Sequence, residues 1–287
     1  MKKILFLVFI ILIFTRCEDV VEIDVPEEEP RLIVDALIRV DESLPIVNAV
    51  IKVSLTSPFF GTIPPANLRQ ISITNLALPT TPNPNFIILE ENEPGTGIYE
   101  VLTTIDFFQD GELLLQIDYE DQIFLASTRY VKTVPIDNLE QGNGTLFEDD
   151  ETEIIITYTD DGSREDFYIF DFDFDEFLVT EDTFFQGQQF QFSYFYDQDL
   201  QPGQEVEISI LGADLSFYNY MNQLIEQSGD DFNPFATPVA TVRGNISNFT
   251  DLDNIEFFDN VDLPNNFALG YFAVVQEFKQ TITIEER

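Results

Sequence analysis

Cys17 is the only cysteine among 287 residues, and the chain contains no histidine and no tryptophan. The residues around it run Lys2-Lys3, the apolar stretch Ile4–Phe14, then Thr15-Arg16-Cys17-Glu18-Asp19. A basic start, a short apolar core and a compact exit describe a secretory signal peptide. The apolar stretch falls well short of the roughly 20 residues that a spanning helix requires. A lone thiol just after such a core stands where a bacterial lipoprotein signal is cut and acylated, and an unpaired exposed thiol is otherwise a liability outside the cell. Residues 1–16 are therefore expected to be a signal peptide and Cys17 a lipid attachment point. Arg16 occupies the place where such signals usually carry Gly, Ala or Ser. An ordinary signal peptide with a stray cysteine, or an uncleaved anchor, is the alternative.

Without histidine there is no Ser-His-Asp triad, no imidazole base and no His-ligated zinc. Without a second cysteine there is no disulfide within the chain. Carboxylates remain, 53 of them. The sharpest constellation is the row Phe170-Asp171-Phe172-Asp173-Phe174-Asp175. On a strand, period two sets three rings on one face and Asp171, Asp173 and Asp175 on the other. Same-face neighbours sit ~7 Å apart, whereas one calcium needs 6–8 oxygens at about 2.3–2.6 Å. These three are metal candidates only if another strand or water completes the shell; otherwise they form a solvated face. Asp160-Asp161-Gly162 lacks the ligand spacing of a calcium loop and is expected to be a turn. Paired carboxylates can cleave glycosidic bonds, but with 53 acids close pairs arise by chance and nothing singles one out. No catalytic residue and no cofactor beyond the N-terminal lipid are expected.

The formal charge is −40, and loss of Lys2, Lys3 and Arg16 with the leader takes it three units further, to −43. Such a field repels nucleic acid and anionic lipid. Acidity of this kind accompanies disorder when apolar residues are scarce, but here 44% of residues are hydrophobic and 29 are Phe. The chain has ample material for a core, and its length suggests two domains.

Residues 17–30 form an acidic tether. From residue 31 the pattern is β. Strands are expected at Leu32–Val40, Val47–Leu55, Gln70–Asn75, Ile98–Ile105, Leu113–Tyr119 and Ile123–Val131, with Asp110-Gly111 as a hairpin turn. Short strands without a helical stretch suggest an immunoglobulin-like β-sandwich over residues 31–137. Residues 138–287 are expected to form an antiparallel β domain with one packed helix. Its opening hairpin joins Glu153–Thr159 to Asp166–Asp175 through Asp160–Ser163, and Phe190, Phe192, Tyr194 and Tyr196 repeat the aromatic stripe on a neighbouring strand. Asp214 caps a helix over 214–228. Strands follow at Val239–Gly244, Phe267–Glu277 and Phe278–Ile284. The fold class is mainly β.

Several phrases resemble a Bacteroidota lipoprotein family known only as domain of unknown function 4249. They are Phe217-Tyr218-Asn219-Tyr220 with Gln223, Asn233-Pro234-Phe235 with Pro238, Gly244-Asn245-Ile246, and Phe267-Ala268-Leu269-Gly270-Tyr271-Phe272. Upstream, Leu32–Asp35 and Val134–Asp137 resemble it too. The resemblance implies an outer-membrane lipoprotein facing the cell exterior, of a kind often associated with TonB-dependent transporters, and it carries over no catalytic residue. The expected function is thus a non-catalytic accessory of such a transporter in nutrient uptake. The alternatives are a free-standing extracellular ligand-binding lipoprotein and, after it, a carboxylate-based hydrolase. Phe217, Tyr218, Tyr220 and Phe235 are the candidate partner contact, unless these rings only fasten the helix to its sheet.

Overall fold

The computed structural model describes residues 30–58, 61–82, 84–146, 151–196, 200–228, 241–250 and 267–286. The leader, Cys17, the rest of the tether before Pro30, and Phe235 lie outside the described residues. The strands are β1 (Leu32–Val40), β2 (Ile46–Leu55), β3 (Gln70–Asn75), β4 (Phe86–Glu91), β5 (Ile98–Thr104), β6 (Glu112–Tyr119) and β7 (Gln122–Val131). They continue with β8 (Ile136–Gln141), β9 (Thr152–Thr159), β10 (Phe167–Asp171), β11 (Phe177–Glu181), β12 (Gln189–Tyr196), β13 (Glu205–Ala213), β14 (Arg243–Asn248) and β15 (Phe267–Thr283). One-turn helix α1 (Asp106–Gln109) and helix α2 (Leu215–Ser228) complete the described elements. The protein is mainly β.

Alternation drives the first half. In β1, Leu32, Val34, Ala36, Ile38 and Val40 are buried while the residues between them are partly or fully exposed. Val47, Ala49, Ile51 and Val53 of β2 and Leu113, Leu115 and Ile117 of β6 join the same apolar cluster. Period two thus sends every second side chain to one interior. The strands run β1-β2-β5-β4-β3-β6-β7-β14-β15, and β15 returns to pair with β1, closing a barrel-like sheet of nine strands. The closing contact is parallel, from Ile33↔Leu269 to Val40↔Gln276, and joins residues more than 200 positions apart.

Two expected hairpins are corrected. β5 pairs with β2 and β4, whereas β6 pairs with β3 and β7, so Asp110-Gly111 does not join adjacent strands. Instead α1 inserts Phe107 and Phe108 into the interior, and the chain crosses to a different part of the sheet. Likewise β9 belongs to a separate three-stranded sheet ordered β12-β9-β8, while β10 pairs with β11 and β13. Asp160–Ser163 is therefore a corner between layers. The stretches expected as two final strands form one 17-residue strand: its first part closes the barrel-like sheet, and Glu277–Thr283 pairs with β13.

The aromatic stripes are not hydrogen-bonded neighbours. β12 pairs with β9, and its rings meet those of β10 and the turn after it across the two layers. Phe170 lies edge-on to Phe192 at 5.1 Å, and Phe172 stacks on Tyr194 at 3.7 Å. Tyr158, Phe185 and Phe190 extend this aromatic core. Such pairs add about 0.5–1.5 kcal/mol each beyond the area they bury.

Candidate functional site

The row Phe170–Asp175 does not continue as a strand. β10 stops at Asp171, and Asp173, Phe174 and Asp175 all have positive φ, at 65°, 54° and 63°. Aspartate tolerates this left-handed region because its short polar side chain bonds locally; Phe174 has no such help and is strained. The turn is held by Asp173 N–H donating to Asp171 Oδ1 at 3.0 Å, and by Glu176 N–H donating to the Asp173 carbonyl at 2.9 Å. The expected common face for the three carboxylates is thereby lost. Asp171 is also engaged: Arg39 of β1 donates to it at 2.6 Å and to Glu277 at 3.3 Å, and Ser209 donates to Glu277 at 2.7 Å. Among the described residues no group of three or more acidic, His or Cys side chains is placed to hold a metal.

Helix α2 forms where expected. Asp214 Oδ1 accepts the Phe217 N–H at 2.8 Å, a helix N-cap. Phe217 and Met221 are buried and pack with Ile169, Leu211, Ala213, Ala273 and Val275. The three candidate contact rings in this helix all meet aromatic partners. Phe217 lies 5.0 Å from Tyr271, Tyr220 lies 4.9 Å from the same ring, and Tyr218 lies 5.1 Å from Phe167. Phe217 is 4% exposed and serves as packing, whereas Tyr218 and Tyr220 are half-buried and keep part of their surface in solvent. Burial raises the Tyr220 phenol, with Asp35 adding to the shift.

A polar cluster that the sequence did not single out lies at the corner between layers. Asp160, Asp166 and Asp182 are all buried. The Tyr168 hydroxyl donates to Asp160 and lies 3.1 Å from Asp166, while Gly187 N–H donates to Asp160 at 2.5 Å. Arg164 Nε donates to Asp166 at 2.8 Å, and Asp182 accepts the Asp166 N–H at 2.8 Å. These bonds tie the β9–β10 corner to the β11–β12 connection. Burial raises the Asp166 carboxyl above its ordinary range, with Arg164 opposing, and burial also pushes the Tyr168 phenol up. Nothing in the acidic run Asp160–Asp166 marks which carboxylates turn inward, so the cluster was not legible from residue types.

Three further phrases from the sequence converge on the closure of the barrel-like sheet, and a fourth lies at the junction between the clusters. Gly270 has φ 98°, and a Cβ there would lie 1.9 Å from the Val34 carbonyl oxygen, within Leu32–Asp35. A Cβ on Gly244 would lie 1.6 Å from the Gly270 oxygen. Only glycine admits two backbones this close. Beside them the Asn245 side chain acts as a piece of strand: its Nδ2 donates to the Phe272 carbonyl at 2.9 Å and its Oδ1 accepts the Phe272 N–H at 2.9 Å. Phe267 lies beneath two guanidinium groups, Arg31 at 5.5 Å and Arg243 at 4.9 Å. At the junction between the clusters, Ile136 is buried and its carbonyl accepts from Gln280 at 2.8 Å.

Elsewhere, a cleft of about 380 Å³ opens between Leu68–Ile71 and Ile88–Glu91, with Tyr99 at its side. The Tyr99 hydroxyl is already committed, accepting from Leu68 N–H at 2.8 Å and donating to the Ala66 carbonyl at 2.9 Å. Among the described residues no helix is long and apolar enough to cross a membrane. No curated protein matches the chain. Residues 18–281 match the family described as domain of unknown function (DUF4249), which covers the barrel-like sheet, the aromatic layers and α2. The chain belongs to that family.

Proposed function

We propose that the protein is a surface-exposed outer-membrane lipoprotein, held by lipid on Cys17, that works without chemistry of its own beside a TonB-dependent transporter in nutrient uptake. One observation carries this reading: the only cysteine follows a basic, short apolar leader and directly precedes the residues that match the family. The use made of the family-like phrases supports a non-catalytic role. Gly244, Gly270 and Asn245 close backbone against backbone, and Phe217 and Tyr271 fasten a helix, so these residues are accounted for by architecture. Partner contact falls to the solvent side of Tyr218 and Tyr220, with Phe235 nearby in sequence. The acidic field would steer the molecule to a basic protein surface, and a desolvated apolar patch would supply affinity. The domain reading keeps residues 31–137 as an immunoglobulin-like module and 138–287 as an antiparallel β module with its helix. The antiparallel run of strands β1–β7 supports the first module, while their apolar cluster also takes in Ile246, Ala268, Phe272 and Val274, and the return of β15 to β1 favours barrel-like closure.

The test is crosslinking and pull-down of the lipoprotein from native outer membranes, followed by an uptake assay in a deletion strain. Enrichment of a transporter barrel together with reduced uptake is expected. Recovery of no barrel above background, with uptake unchanged, would refute the proposal.

A further inference from the structure

β12 is the outermost strand of its sheet: β9 takes one edge, and among the described residues no strand pairs with the other. The ladder shows which groups face that open side. Asp160 N–H donates to the Gln188 carbonyl at 3.0 Å, one step beyond the Gln189↔Thr159 pair and in the same register. In an antiparallel ladder, bonded and non-bonded pairs alternate. Even-numbered residues of β12 therefore exchange bonds with β9, and Gln189, Gln191, Ser193 and Phe195 turn their N–H and C=O groups outward.

Native proteins normally blunt such an edge with Lys, Pro, a bulge or a covering segment. β12 reads Gln-Phe-Gln-Phe-Ser-Tyr-Phe-Tyr, with neither charge nor proline, and its register to β9 is unbroken over all eight residues. A charge-free edge is unusual in a chain of net charge −40.

We propose that β12 pairs antiparallel with β12 of a second copy of this chain, joining two three-stranded sheets into one of six. With the twofold axis at Phe192, Gln191 lies opposite Ser193 and Phe190 opposite Tyr194. Aromatic residues then continue the inner stripe, and amide and hydroxyl groups continue the outer one. Cross-strand pairs of these kinds are favourable. One added strand pair buries less than a standard interface, so the dimer is weak and rises with protein concentration. Its salt dependence has a distinctive sign. The paired residues themselves carry no charge, though Ser193 Oγ donates to Glu153 at 2.5 Å and the Tyr194 hydroxyl to Glu176, and the two bodies repel, so salt strengthens the dimer. Docking of the same acidic chain on a basic partner would weaken with salt instead.

The experiment is sedimentation of the full chain in density-matched nonionic detergent, across protein concentrations, at about 0.02 M and about 0.5 M sodium chloride. A dimer fraction that grows with concentration and with salt is expected. Gln191→Pro removes an outward N–H while leaving the β9 ladder intact, and should give a monomer with an unchanged circular dichroism spectrum. Should that variant misfold, Gln191→Glu keeps the backbone and adds a carboxylate near the axis; it should abolish dimerisation just as well. A monomer under all conditions, or a dimer that survives these substitutions, would overturn the proposal. So would a dimer that dissociates as salt rises.

Discussion

Replacing Asn245 by Ala probes the closure of the barrel-like sheet at one side chain. Phe272 is fully buried, and both its N–H and its C=O are bonded to the Asn245 amide at 2.9 Å. The same Nδ2 also reaches the Ser127 carbonyl at 3.2 Å. Alanine leaves two backbone groups of Phe272 without these partners, and each buried group left unsatisfied costs about 1–3 kcal/mol. The variant should therefore lose about 2–6 kcal/mol, or about 5–20 °C in melting temperature for a chain of this size. Asn245→Asp separates donor from acceptor. It keeps the bond from Phe272 N–H but turns a carboxylate toward two carbonyl oxygens, so it should be at least as unstable at neutral pH. Protonation would restore one donor, and stability should recover as pH falls into the ordinary carboxylate range. The assay is urea unfolding monitored by tyrosine fluorescence, at neutral and acid pH. An alanine variant within about 0.5 kcal/mol of the parent would refute the idea that this amide completes the ladder.

Arg39→Ala should cost about 1–3 kcal/mol in the same assay, because Asp171 and Glu277 would remain half-buried beside each other without their cation. Arg39→Lys should recover only part of it, since one ammonium cannot span both carboxylates as the guanidinium does; full recovery would argue for charge alone. For Asp166, the raised carboxyl pKa means that its contribution is fully present below the ordinary value and is lost as pH rises through the folded one. The stability of Asp166→Asn relative to the parent should thus improve as pH increases across that window, and parallel pH profiles would contradict the assignment. Calcium should raise the melting temperature no more than magnesium does, because Arg39 already holds Asp171 and a turn carries Asp173 and Asp175. A calcium-specific rise that Asp173→Asn removes would establish a metal site instead.

The elements legible in the sequence were those fixed by local pattern. The alternation in β1, β2 and β6 set which side chains turn inward, and Asp214 followed by Leu215, Tyr218, Met221 and Ile225 marked α2 and its cap. What failed was pairing between distant segments. Asp110-Gly111 and Asp161-Gly162 are good turn residues, but a tight turn does not reveal whether the strands it joins become neighbours. Here α1 carries one connection across the sheet and the Asp160–Asp166 cluster carries the other between layers. The Phe-Asp row kept period two in residue type while its backbone entered the left-handed region at Asp173. The parallel contact of β1 with β15 left no mark except Gly270, whose need for close approach shows only once Val34 is beside it. For the candidate contact, the rings of α2 were found from the sequence, but their division into a buried Phe217 and half-buried Tyr218 and Tyr220 follows from the sheet beneath them.

The function proposed here depends on Cys17 more than on any residue of the fold. Its most direct test is mass spectrometry of the N-terminal peptide from protein purified out of native membranes, alongside the Cys17→Ala variant. Lipidation at Cys17 requires a mature chain that begins at Cys17 and carries acyl groups, with the variant moving from the detergent phase to the aqueous phase. An unmodified Cys17, or a variant that still partitions with detergent and incorporates labelled palmitate, would contradict it.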